Sequence, residues 1–204
     1  MTQNTRFAYD HGDYAAEINT NYLGLVGPEV ANLGLDGSAA NAGPNSAGPN
    51  SGQTTVPGSG TTGTWLDETD IRPTVLYLLG LHDDYMSDGR VITQVLTNRN
   101  SGLSAPGVAA VGGCYKQINS SVGELGTDTL MASTRALESN SPGDAVYTNT
   151  EQKLSQLEQA RDAVAEHIKT VLDAAEFGGG QVRNAPGLLA SCTAVLNQAR
   201  RLAG

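Results

Sequence analysis

Apolar residues in the second half of the chain recur at intervals of three and four, the period of an α-helix laid against a core. Val108, Val111, Tyr115, Ile118 and Val122 trace one face of a first helix, and a weaker pattern follows over about 127–139. Pro142-Gly143 reads as a turn, and Thr148 with Glu151 fits a capping box opening a long third helix. On that helix Leu154, Leu157, Val164, Ile168, Val171 and Ala175 keep a seven-residue rhythm interrupted by Arg161, and Gly178-Gly179-Gly180 ends it. A last amphipathic segment covers about 188–202. Helices joined by such short loops predict a small antiparallel bundle or hairpin over 104–204.

The first half is patterned differently. Residues 6–9 and 22–26 are short apolar runs bounded by Gly and Pro, which predicts interior strands of an α/β sheet. Gly27-Pro28 ends the second run, because proline lacks the N–H that a sheet ladder needs. Over 37–64 the composition turns to Gly, Ala, Asn, Ser, Pro and Thr, and Ala42-Gly43-Pro44-Asn45-Ser46 is repeated at once over 47–51. A repeat so poor in apolar side chains predicts a solvated, mobile insertion. Order returns at Trp65. Thr69 or Asp70 caps a helix, Pro73 fits its first turn, and Gly80 stops it. Ile71, Val75, Leu76, Leu78 and Leu79 give that helix a wide apolar arc, which predicts burial. A polar stretch over 82–89 then leads to a short helix at 90–97. The expected fold is an α/β fragment over 1–100 followed by a mainly helical appendage over 104–204, with helix predominating.

Composition narrows the partners. With 204 residues, 12 basic and 21 acidic side chains, the chain carries a net charge of −9. That excludes a broad basic surface for nucleic acid or anionic lipid. No stretch approaches the roughly 20 apolar residues that span a bilayer. The first residues show no apolar signal-peptide core, so no export signal is expected in the chain as written. Cys114 and Cys192 lack metal-type spacing. They are expected to form a disulfide if the protein is exported, and to be buried thiols if it is cytosolic.

Chemistry is concentrated near the start. His11 stands between Asp10 and Asp13, beside Gly12, at the mouth of an expected strand. Imidazole is the commonest protein metal ligand, and a neighbouring carboxylate fixes its tautomer. His11 is therefore the candidate metal ligand, with Asp10 and Asp13 as its orienting partners or as ordinary turn residues. The other two histidines read as structural: His82 in a charged turn, and His167 on a helix surface beside Glu166. No G-x-S-x-G elbow, P-loop or H-E-x-x-H motif occurs.

In order along the chain stand His11-Gly12-Asp13, Asn19-Thr20, Leu23-Gly24-Leu25-Val26-Gly27-Pro28, Thr69-Asp70-Ile71-Arg72-Pro73-Thr74 with Leu78-Leu79-Gly80-Leu81, and Asp88-Gly89-Arg90. This succession resembles the C-terminal portion of the alkaline phosphatase superfamily, over roughly residues 6–95. The superfamily includes phosphatases, phosphodiesterases, sulfatases and cofactor-independent phosphoglycerate mutases. The resemblance implies that His11 is the last histidine ligand of a two-metal, usually dizinc, centre. Asp70 and Pro73 match a structural helix start. The nucleophile and the remaining ligands of the family belong N-terminal to the matched segment, so the chain alone is expected to be inactive. For a complete enzyme the resemblance implies a phosphate or sulfate ester substrate, in-line displacement on a Thr or Ser nucleophile, and an exported protein. The competing expectation is a non-enzymatic helical interaction or scaffold protein, drawn from the long heptad-like helix.

Overall fold

The computed structural model of the chain describes residues 23–31, 53–55, 62–64, 66–97, 106–120, 123–179 and 181–204. In chain order the elements are strands β1 (Gln53–Thr55) and β2 (Thr62–Thr64), helix α1 (Ile71–Leu78), and four longer helices. These are α2 (Pro106–Asn119), α3 (Glu124–Glu138), α4 (Ala145–Phe177) and α5 (Ala185–Ala203). Each of the four longer helices packs against the other three.

The three-and-four spacing on α2 does what it predicts: Val108, Val111, Tyr115 and Ile118 are buried, together with Cys114. Facing them are Leu157, Ile168 and Leu172 of α4 and Leu188, Cys192, Val195 and Leu196 of α5, all in one apolar cluster. Fully burying a side chain such as Ile168 or Leu196 stabilises by about 1.5–3 kcal/mol. Helix α3 contributes little bulk. Leu125, Ala132 and Ala136 face inward, while Leu130, Met131 and Leu137 stay exposed. On α4 the stripe drifts as a straight helix must: Ala165 and Leu172 are buried where Val164 and Val171 were expected, and those two valines pack from the side.

Helix α4, 33 residues long, begins earlier than its expected capping box. The Ser141 hydroxyl accepts the N–H of Val146 at 2.9 Å, so Thr148 and Glu151 lie inside the helix rather than at its start. The turn before it uses left-handed backbone at Asn140, Gly143 and Asp144.

The α/β fragment is contradicted by the described residues. Residues 23–26, within the second expected strand, carry no strand, and Leu23 and Val26 are exposed. Strand structure among the described residues is the antiparallel pair β1–β2, Gln53 opposite Thr64 and Thr55 opposite Thr62, with an isolated bridge between Val30 and Leu96. Short apolar runs fit strand and coil alike, and nothing in periodicity alone separates them. Residues 6–9, and most of the insertion at 37–64, lie outside the described residues. The predominance of helix does agree with the expectation. The short helix expected at 90–97 is only a 3₁₀ turn, Thr93–Val95.

Candidate functional site

Residues 66–97 form an arm laid across α2 and the end of α4. A 3₁₀ turn, Glu68–Asp70, leads into α1 with Pro73 in its first turn. The helix stops at Gly80, whose φ of +64° is the left-handed conformation glycine adopts freely. There the Leu81 N–H reaches the Leu76 carbonyl at 2.9 Å and the Gly80 N–H reaches that of Tyr77 at 3.0 Å. These bonds satisfy carbonyls that the helix end leaves open.

At the seam between arm and bundle, side chains with charge or hydroxyl are enclosed. Asp70 is 1% exposed. Its Oδ1 accepts the Arg90 N–H at 3.0 Å, and its Oδ2 accepts the Asp67 N–H at 3.0 Å and meets the Lys116 ammonium of α2. Lys116 also lies 3.7 Å from Asp67 Oδ2. Thr74 donates to the Asp70 carbonyl at 2.7 Å and accepts the Ile92 N–H at 2.9 Å. Glu176, near the end of α4, accepts the Val91 N–H at 3.1 Å. Tyr115 donates its hydroxyl to the Asp88 carbonyl at 3.0 Å. The stem of Arg90 crosses α2 at Gly112, where a Cβ would meet it.

Burial dominates the electrostatics here. It pushes the Asp67 carboxyl up, against the opposing pull of Lys116. It lowers Lys116, with Asp70 acting to restore it. It raises Glu176 to about 8, with Arg90 and the Val91 N–H holding it down only in part. The Tyr115 hydroxyl is raised too, by burial and then by Asp88.

Gly89 has a steric role. A Cβ there would collide with the Thr69 carbonyl and the Asp70 nitrogen, both backbone atoms that cannot step aside. Gly89→Ala is expected to destabilise by about 1–3 kcal/mol, the range for overpacking a closed site. Urea denaturation would show this as a lower midpoint; an unchanged midpoint would mean that the loop at 87–89 adapts freely.

His11, Asp10 and Asp13 lie outside the described residues. Cys114 and Cys192 are joined as a disulfide between α2 and α5, with their Cα atoms 6.3 Å apart. His167 is exposed on α4. His82 sits 3.4 Å from Asp173 and against the Phe177 ring, with centroids 4.8 Å apart, at the edge of a small cleft that Glu176 also lines. The described residues contain no group of three or more His, Cys, Asp or Glu able to hold a metal ion. They therefore offer no ligand set for the zinc that the resemblance implies. No described helix is long and apolar enough to cross a membrane.

Sequence reasoning did not single out Lys116 or Glu176, and it read Arg90 only as the end of the Asp88-Gly89-Arg90 motif. The signal for Glu176 was present: it stands four residues after Leu172, where the apolar stripe of α4 calls for another hydrophobic side chain. Lys116 gave none, since its spacing puts it away from the apolar face of α2 and the arm that meets it comes from far along the chain. Comparison with protein-family models, with curated proteins and with solved structures returned no match for the chain.

Proposed function

We propose that the chain is a C-terminal portion of a metal-dependent phosphoric or sulfuric ester hydrolase, in which His11 is a metal ligand and the described part is structural support. One observation carries this reading. The Thr69-Asp70-Ile71-Arg72-Pro73-Thr74 and Asp88-Gly89-Arg90 motifs, both part of the resemblance, are bonded into a single unit. Asp70 accepts the Arg90 N–H, Thr74 accepts the Ile92 N–H, and Gly89 lies against the Thr69 backbone. Motifs that depend on one another physically are less easily explained as a chance succession of short matches. The reading concerns function and does not restore an α/β fold to the described residues. No catalytic step is routed through them.

The test is to express the chain together with whatever coding sequence lies upstream in the same frame, and to assay release of p-nitrophenol from its phosphate mono- and diesters and its sulfate. The longer protein is expected to turn over one of them. Loss of a metal ligand should exceed the roughly 10–100-fold effect of losing a supporting residue around a metal. His11→Ala is thus expected to lower kcat/KM at least 100-fold, with loss of bound metal. The 204-residue chain alone should show negligible activity. An in-frame stop directly before Met1, or full activity in the His11→Ala protein, would overturn the proposal.

A second reading, a non-enzymatic helical interaction protein, is favoured by the disulfide-linked bundle and by the exposed Leu130, Met131 and Leu137 on α3. It expects a folded, metal-independent protein whose properties survive His11→Ala.

A further inference from the structure

The bundle and the arm are held by different kinds of contact. The bundle interior is one apolar cluster drawn from all four long helices. The arm's own cluster is small: buried Val91 and Leu96, with Tyr77, Leu78 and Phe177 against them. Along the seam lie Asp70, Thr74, Arg90, Lys116 and Glu176, five of the six buried polar or charged residues described. A joint made this way depends on the charge state of its members in a way that an apolar joint does not.

The seam already encloses the Asp70 carboxylate against Lys116, with Asp67 3.7 Å from the same ammonium and Arg90 alongside, so an ionised Glu176 adds a further buried negative charge. The groups facing Glu176 are Arg90 and Asp70 from the arm and Asp173 from its own helix, with Lys116 of α2 engaged by Asp70. Arg72, His82 and Asp83 of the arm and Lys169 of α4 line the cleft that Glu176 borders. Arg90 and the Val91 N–H favour the ionised carboxyl and burial outweighs them, while the Arg90 guanidinium is turned to the Val91 carbonyl at 3.2 Å. Glu176 nonetheless holds the arm directly, through the Val91 N–H.

We propose that Glu176 is a proton-operated latch: the arm at 66–97 is docked on the bundle while this carboxyl keeps its proton, and is released as the proton passes to solvent. Undocked and hydrated, Glu176 returns to its ordinary value of 4.5, whereas docked it is held up to about 8. Between these values the docked state binds a proton that the undocked state has lost. Docking is therefore firmest in acid and weakens as pH rises. The ratio of undocked to docked protein climbs by up to roughly tenfold per pH unit and levels off above the docked value. Asp67, also raised by burial, acts in the same sense, and Lys116, lowered by burial, acts in the opposite one. Glu176→Gln leaves both in place and keeps an oxygen for the Val91 N–H, so comparison with wild type isolates the latch.

The experiment is native-state hydrogen exchange on the full chain from pH 5 to 9, with each amide rate divided by its intrinsic rate at that pH. At Arg90, Val91 and Ile92 the wild-type opening constant is expected to rise at least 100-fold between pH 5 and 8. In Glu176→Gln, which keeps Asp67 and Lys116, the rise over that range should be at least tenfold smaller. Amides of the bundle core, such as those of Cys192 and Leu196, should show no comparable slope in either protein. Equal slopes in wild type and variant, or no slope in wild type, would overturn the proposal. Should the variant not fold, carbon-13 NMR titration of the Glu176 carboxyl in wild type decides: a midpoint near 8 supports the latch, and one near 4.5 removes it.

Discussion

Replacing Asp70 by alanine is expected to destabilise the docked arm by about 3–5 kcal/mol, the range for removing one member of a buried ion pair. The loss comes mainly from what is left behind. Lys116, 2% exposed, would keep its place under the arm with its nearest carboxylate gone and Asp67 3.7 Å away. The N–H groups of Asp67 and Arg90 would also lose the acceptor that each reaches at 3.0 Å. An unmade bond of this kind in a closed site costs about 1–3 kcal/mol. The measurement is hydrogen exchange at Val91 and Ile92 alongside urea denaturation, at a pH where Glu176 is protonated. Asp70→Ala with Lys116→Met is expected to regain a large part of the loss, since methionine fills the lysine's space, removes the buried ammonium and leaves only the part-exposed Asp67 carboxyl without it. A single variant within 1 kcal/mol of wild type would show that the ion pair contributes little to holding the arm.

The same residues show why part of this structure was legible in the sequence and part was not. A helix packed on one side writes its period into the chain, so Val108, Val111, Tyr115 and Ile118 identify α2 and its inner face without coordinates. The outer face of α2 carries Lys116 and Gln117, which ordinarily signal solvent, yet both are buried: Lys116 lies against Asp67 and Asp70 of the arm, and the Gln117 side chain accepts the Glu124 N–H at the start of α3. The contact between Asp70 and Lys116 joins residues 46 positions apart, and no local pattern encodes it. Helix α1 misleads in the opposite direction. Its wide apolar arc predicts deep burial, but Ile71, Val75 and Leu79 are exposed while Pro73 and Thr74 are enclosed. Hydrophobicity marks a face able to be buried, and it does not say whether a neighbour within the described residues buries it. Gly80 lies at the legible end and Gly89 does not. Gly80 meets a local demand, a left-handed helix stop that glycine adopts freely, whereas the close approach that Gly89 allows is to the Thr69 backbone twenty positions away and is seen only in the fold. The candidate metal site was read from His11 and its two aspartates, whereas the charged site among the described residues was assembled by packing alone.

Removing the Cys114–Cys192 disulfide is expected to lower global stability by about 4.5 kcal/mol, the chain-entropy value for a cross-link spanning 78 positions. Both cysteines are fully buried, so the bond should resist reductant in the native protein and yield only as the chain unfolds. Urea denaturation of the wild type with and without a phosphine reductant measures the effect, and Cys114→Ala with Cys192→Ala provides the same comparison without a redox reagent. Coincident midpoints for oxidised and reduced protein would mean that the apolar core alone fixes α2 against α5. The arm offers an internal control. Lys116 lies two residues beyond Cys114, roughly 200° around the helix, so the cross-link and the seam act on opposite sides of α2. Losing the disulfide should therefore raise global exchange in the core of α5 while leaving arm opening at Val91 and Ile92 close to its wild-type value, until global unfolding becomes the easier route. Parallel changes at both places would instead show that arm and bundle open as one unit, with the polar seam as firmly coupled to the core as any helix within it.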